Sequence, residues 1–138
     1  MPTIYIPKKK DNRPKRGRSK ESAKYYATSK WHKARNRQLE EEPCCQWCMH
    51  MKDGFITPTA QVHHLVKFMN AKTEQRKKEL FLDELNHYSV CTECHHLLDH
   101  ELYDISKLIY RMRLEGISDK DIHQHIREHH KNILENNL

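Results

Sequence analysis

The pattern of apolar and polar positions divides the chain into a polar lead, a helical stretch, a β-rich centre and two closing helices. From Ser29 nothing breaks the chain until Pro43, and Trp31, Ala34 and Leu39 fall roughly on one face, with Lys33, Arg35 and Arg37 elsewhere. That spacing predicts an amphipathic helix, opening at Ser22 or Ser29 with a serine as N-cap and ended by Pro43. Trp31 reads as a core anchor against the cysteine-bearing module rather than a base-stacking residue. After Cys48, the stretch through Gly54 reads as a turn. The β-branched run that follows, with Pro58 at or before its start, predicts a strand over about 60–66. Residues 67–84 read as an inserted polar loop or short helix. Tyr88 to Cys91 reads as a short strand, followed by a helix from Thr92 or Glu93 that carries His95. Ile105, Leu108, Ile109 and Met112 then mark a helical stripe that stops at Gly116. Ser118 predicts an N-cap with acid in the first turn, and Ile122, Ile126 and Ile133 mark a final helix. Two helices across a glycine turn can form a helix-turn-helix, but plain packing or a dimer surface is the commoner use.

The chain has 138 residues, enough for one domain with tails. Hydrophobic residues make up only 36%, so the core is small and a structural metal would help to hold it. The formal net charge of +6 is unevenly placed. Residues 1–24 carry nine Lys/Arg against Asp11 and Glu21, a balance of +7, so the other 114 residues sum to −1. With Pro2, Pro7, Pro14 and Gly17, this lead predicts a basic arm without fixed structure of its own. A phosphate-binding arm adds salt-dependent affinity for DNA; a solubilising tail is the plainer alternative. No apolar run approaches the ~20 residues of a membrane span, and the start of the chain has no apolar signal-peptide core. A reducing cytoplasm is the expected compartment, in which paired cysteines signal metal more often than disulfides.

Chemistry concentrates between Cys45 and His96. Cys45-x-x-Cys48 and Cys91-x-x-Cys94 each place two thiolates on one side of a tight turn, the bite that tetrahedral Zn²⁺ needs. Together they predict a closed, structural four-cysteine zinc site, with a disulfide pair or buried thiols as the weaker alternative. The 42 intervening residues exceed a simple zinc ribbon, so they house something more. Cys44 would spoil the spacing and reads as a spare thiol. Between the knuckles lie His63 and His64 on the predicted strand, where neighbouring side chains face opposite ways. One can point to a metal and the other to a substrate or water.

Taken together, Tyr26, Lys30-Trp31, Pro43-x-Cys45-x-x-Cys48, Ile56-Thr57-Pro58, Val62-His63-His64-Leu65, Leu85-Asn86 and Cys91-x-x-Cys94-His95 resemble the HNH endonuclease family, most closely its small phage-type members. The resemblance covers roughly residues 25–101. It implies an α+β fold: a small ββα-metal core stapled by structural zinc, flanked by helices and the basic arm. The implied organisation is an arm over 1–24, a nuclease domain over 25–102 and a helical extension over 103–138. His64 matches the general base that deprotonates the attacking water. Asn86 matches the residue that ties the connecting loop and keeps that base oriented. His63 and His95 match the two ligands of a catalytic divalent ion; the first of these is more often Asp in this subfamily. Asp99, one helical turn after His95, matches an occasional third ligand, and His96 and His100 could compete as a surface site. Imidazole ligands favour Mn²⁺, Ni²⁺ or Zn²⁺, with Mg²⁺ the abundant ion. The expected activity is metal-dependent nicking or cutting of DNA with little sequence preference. The family setting is phage DNA packaging, with terminase as a partner. A zinc-stabilised DNA-binding module without cleavage activity is the alternative.

Overall fold

The computed structural model describes residues 19–132. Helix α1 (Lys20–Tyr26) opens on Ser19, whose Oγ accepts from the Ser22 N–H. It takes in Lys20 to Lys24, which composition alone assigns to the basic arm; residues 1–18 of that arm lie outside the described residues. Helix α2 (Ser29–Glu41) is capped by Thr28 rather than Ser29, through a 3.3 Å bond from the Trp31 N–H. It stops just ahead of Pro43, as expected of a residue that disfavours helix before it. Only Trp31 and Ala34 of its apolar face are fully buried. Trp31 is a core anchor, packed on Phe81 and His64 at ring separations of 4.9 and 5.1 Å.

The stretch expected to be a turn after the first knuckle is in part helical. Cys45 Sγ accepts from the Cys48 N–H and opens α3 (Gln46–Met51). Strand β1 (Gln61–His64) is shorter than the pattern suggests and pairs antiparallel with β2 (His87–Val90), with His63 opposite Tyr88 and His64 opposite His87. A two-stranded ribbon alone is marginal, and here helices cover it. The segment between the strands contains the short helix that the sequence allowed, polar on its outer face and apolar beneath. A 3-10 turn at Phe68–Asn70 and helix α4 (Glu74–Leu82) bury Phe68, Leu80 and Phe81 in the core. Tyr25, Tyr26, Trp31, Phe68 and Phe81 form one aromatic cluster that encloses His64.

Helix α5 (Thr92–Asp99) leaves β2 directly, and α6 (Tyr103–Leu114) and α7 (Asp119–His129) close the fold. Gly116 sits at φ +82°, where a glycine avoids the Cβ penalty. The Ile117 N–H reaches the Met112 carbonyl and the Gly116 N–H that of Arg113, while Ile117 packs on the core. This is a Schellman ending for α6. Ile105, Ile109, Met112, Ile122 and Ile126 are buried, so both helices are committed to packing; Ile133 lies outside the described residues. Among the described residues, no helix is long and apolar enough to cross a membrane.

His123 of α7 is fully buried, donating from Nδ1 to the Asp119 carbonyl and accepting at Nε2 from the Tyr88 hydroxyl at 2.6 Å. Burial pushes its pKa down from 6.5 to about 4. In acid the unfolded chain therefore binds the proton first, so this contribution to stability is complete above pH 6.5 and drains away between 6.5 and 4. The expected slope is at most about 1.4 kcal/mol per pH unit for this one group. Urea unfolding midpoints measured across that window should fall as the pH falls. A flat profile would contradict the buried, neutral assignment.

Candidate metal centres

Both knuckles are helix starts: Cys45 is the N-cap of α3 and Cys91 the N-cap of α5. Helix N-termini carry partial positive charge, which suits thiolates. The four sulfurs of Cys45, Cys48, Cys91 and Cys94 lie within 4.8 Å of one another, and none is in a disulfide. Cys48 Sγ is 3.9 Å from that of Cys91 and 3.6 Å from that of Cys94. A tetrahedron with Zn–S bonds of ~2.3 Å has edges of about 3.8 Å, so the spacing is compatible with a structural zinc. A hydrogen bond from Cys94 holds the Cys45 thiol down to about 5, while the same contact pushes Cys94 up. Thiols packed this closely favour losing protons to a metal. Cys44 stands outside the cluster, its backbone bridged to Pro58.

Helix α5 also serves a second group. One helical turn apart, His95 and Asp99 face β1, and their ligand atoms lie within 4.8 Å of His63 and of each other. His63 and His95 meet edge-on, with ring centroids 5.1 Å apart. Ser106 of α6 sets the tautomer of His63. Its hydroxyl donates to the Leu65 carbonyl at 2.6 Å, so it must accept from the His63 Nε2–H at 2.9 Å. The Nδ1 lone pair is thereby left for a metal, the usual second contact of a ligand histidine. Burial, then the charges of His95, His64 and Lys67, hold His63 down to about 3, and burial also lowers His95. Both imidazoles are therefore unprotonated at neutral pH, as ligands must be. Two histidines and a carboxylate make a donor set that fits a divalent transition ion with open positions.

His64 faces the other way from His63, into the aromatic cluster, with its ring stacked on Phe81 at 5.0 Å. Its Nε2 donates to the Phe81 carbonyl at 3.0 Å, so Nδ1 carries the lone pair. The same carbonyl accepts from His87 Nε2 at 2.8 Å. Phe81 and Leu80 lie in the last turn of α4, where carbonyls have no partner within the helix. Asn86, fully buried, completes the arrangement. Its Nδ2 donates to the carbonyls of Leu80 (2.9 Å) and Val66 (3.0 Å), and its Oδ1 accepts from the Val66 N–H at 2.7 Å. Its side chain bonds to backbone, clamping the end of α4 and with it the carbonyl that holds His64.

A cleft of about 560 Å³ joins these groups, lined by His63, His64, His95 and Asp99 together with Arg35 and Lys67. His96 and His100 lie outside it as a tilted ring pair at 4.6 Å on the exposed side of α5. Ser106, His87 and the Phe81 carbonyl escape sequence reasoning. Only Ser106 leaves a trace, as a polar residue beside Ile105 and Ile109 in a buried stripe. Comparison with protein-family models, with curated proteins and with solved structures finds no match to this chain.

Proposed function

We propose that the chain is a metal-dependent endonuclease of the HNH type, hydrolysing phosphodiester bonds of DNA. One observation carries the proposal: His64, fixed as an Nδ1 base by the Phe81 carbonyl, shares a cleft with the His63–His95–Asp99 donor set. The order β1, β2, α5, with His63 and His64 on the first strand and His95 on the helix, supports the ββα-metal assignment. In this mechanism His64 Nδ1 takes the proton of a water attacking phosphorus, the P–O3′ bond breaks, the departing 3′ oxygen takes a proton from solvent water, and the products are a 5′ phosphate and a 3′ hydroxyl. The Phe81 carbonyl, already bonded to Nε2–H, steadies the imidazolium that forms. A divalent ion held by His63, His95 and Asp99 would supply Lewis-acid stabilisation of the charge on phosphate and leaving oxygen. Arg35 and Lys67 offer phosphate contacts in the cleft, and the basic residues of 1–24 add affinity without sequence preference. The four-cysteine site holds zinc and has no part in the chemistry.

His95→Ala separates the two metal centres. The variant is expected to keep one zinc per chain, to lose Mn²⁺ binding, and to lose cleavage of duplex DNA by about 10²-fold or more. Metal analysis, Mn²⁺ titration and a gel assay read these three quantities. Cleavage at the wild-type rate would remove His95 from the catalytic centre.

A further inference from the structure

Lys67 lines the cleft and makes a contact that the proposed chemistry leaves unused. Its backbone N–H donates to the Tyr103 hydroxyl at 3.0 Å, fixing the start of the side chain. The ammonium lies over the Tyr103 ring, 4.7 Å from the centroid, and 3.8 Å from Asp99 Oδ1. Asp99 is the carboxylate of the second donor set, so Lys67 occupies the electrostatic position that a metal cation would claim. The charges of Lys67 and of a dication on the same carboxylate oppose each other across a few ångströms. Lys67 is also half-exposed and lines the cleft beside His63, His64 and His95, so a released ammonium stays within reach of an anion there.

We propose that Lys67 competes with a divalent ion for Asp99 and, once displaced, turns to the phosphodiester of the substrate. The first half concerns only this chain and the ion; the second rests on the endonuclease assignment. Such an arrangement weakens metal binding in the absence of DNA and returns the cation when phosphate arrives, so metal and substrate bind cooperatively. Lys67 is then a positioning residue for Asp99 and a phosphate contact in turn.

The test uses the full chain with its cysteine site loaded with zinc, titrated with Mn²⁺ and followed by electron paramagnetic resonance. Thiolate sites prefer zinc, so Mn²⁺ reports the second centre. Lys67→Met is expected to bind Mn²⁺ about fivefold more tightly than wild type, the scale of a partly exposed ion pair. Lys67→Arg, which keeps the charge, should stay near wild type, and the Lys67→Met gain should shrink at high salt. Unchanged or weaker Mn²⁺ binding in Lys67→Met overturns the competition. In plasmid cleavage the same variant should show a raised KM for DNA despite its tighter metal. Tighter metal with an unaltered KM overturns the phosphate contact and leaves the competition standing. Tighter metal with no cleavage even by wild type supports the competition, while the endonuclease assignment fails separately.

Discussion

Replacing Cys94 with Ser, or stripping the four-cysteine site with a strong chelator, is expected to unfold the domain as a whole. The four sulfurs tie the start of α3 to the corner where β2 becomes α5, across 42 residues of intervening chain. A structural zinc contributes on the order of 10–16 kcal/mol in small domains, whereas whole-domain stabilities are roughly 5–15 kcal/mol. The two ranges are of the same size, so losing the first removes most or all of the second, particularly around a core built on a two-stranded sheet. Circular dichroism should lose most of its helical signal on chelation and regain it when zinc is returned. The Cys94→Ser protein should not recover. A metal-stripped chain that keeps its unfolding midpoint would show that the cysteines are merely packed thiols.

The largest effect on activity is expected from His64→Ala. A positioned base contributes about 10²–10⁴-fold, so single-turnover cleavage of a labelled duplex should slow by that much at saturating Mn²⁺. The imidazole also fills space among Tyr26, Trp31, Phe68 and Phe81, so some stability is lost as well. His64→Gln is the companion variant: it keeps volume and an N–H for the Phe81 carbonyl but offers no base. It should retain the wild-type melting temperature and share the loss of rate. Activity in His64→Gln near the wild-type level would mean that another group takes the proton.

The candidate sites were legible in the sequence where their chemistry is local. The Cys-x-x-Cys turns carry their own geometry, and the turn from Cys91 to Asp99 places cysteines and a His–Asp pair on one short helix. The adjacent histidines on a strand likewise had to diverge, and His63 and His64 do. Less was legible where a partner arrives from far along the chain. Ser106 reaches His63 across 43 residues, and nothing near either residue announces the bond. Helix α3 was hidden because its cap is a cysteine sulfur rather than one of the usual capping oxygens. The stretch over 67–84 looked polar because its lysines and glutamates outnumber Phe68, Leu80 and Phe81. Those few apolar residues nonetheless fix where it lies, and Asn86 ties its end to Val66, just past β1. The start of α1 at Lys20, two residues ahead of Ser22, was masked by the basic composition around it.

The most direct test of the proposed activity is conversion of supercoiled plasmid by the zinc-loaded full chain, with no added metal or with Mg²⁺, Mn²⁺ or Ni²⁺. Nicked or linear DNA is expected only when a second metal is added, with products that carry 5′ phosphates, and no conversion is expected from His64→Gln under the same conditions. Protein that binds the plasmid in a salt-sensitive way yet leaves it supercoiled in every metal would contradict the endonuclease proposal and leave a zinc-stabilised DNA-binding module in its place.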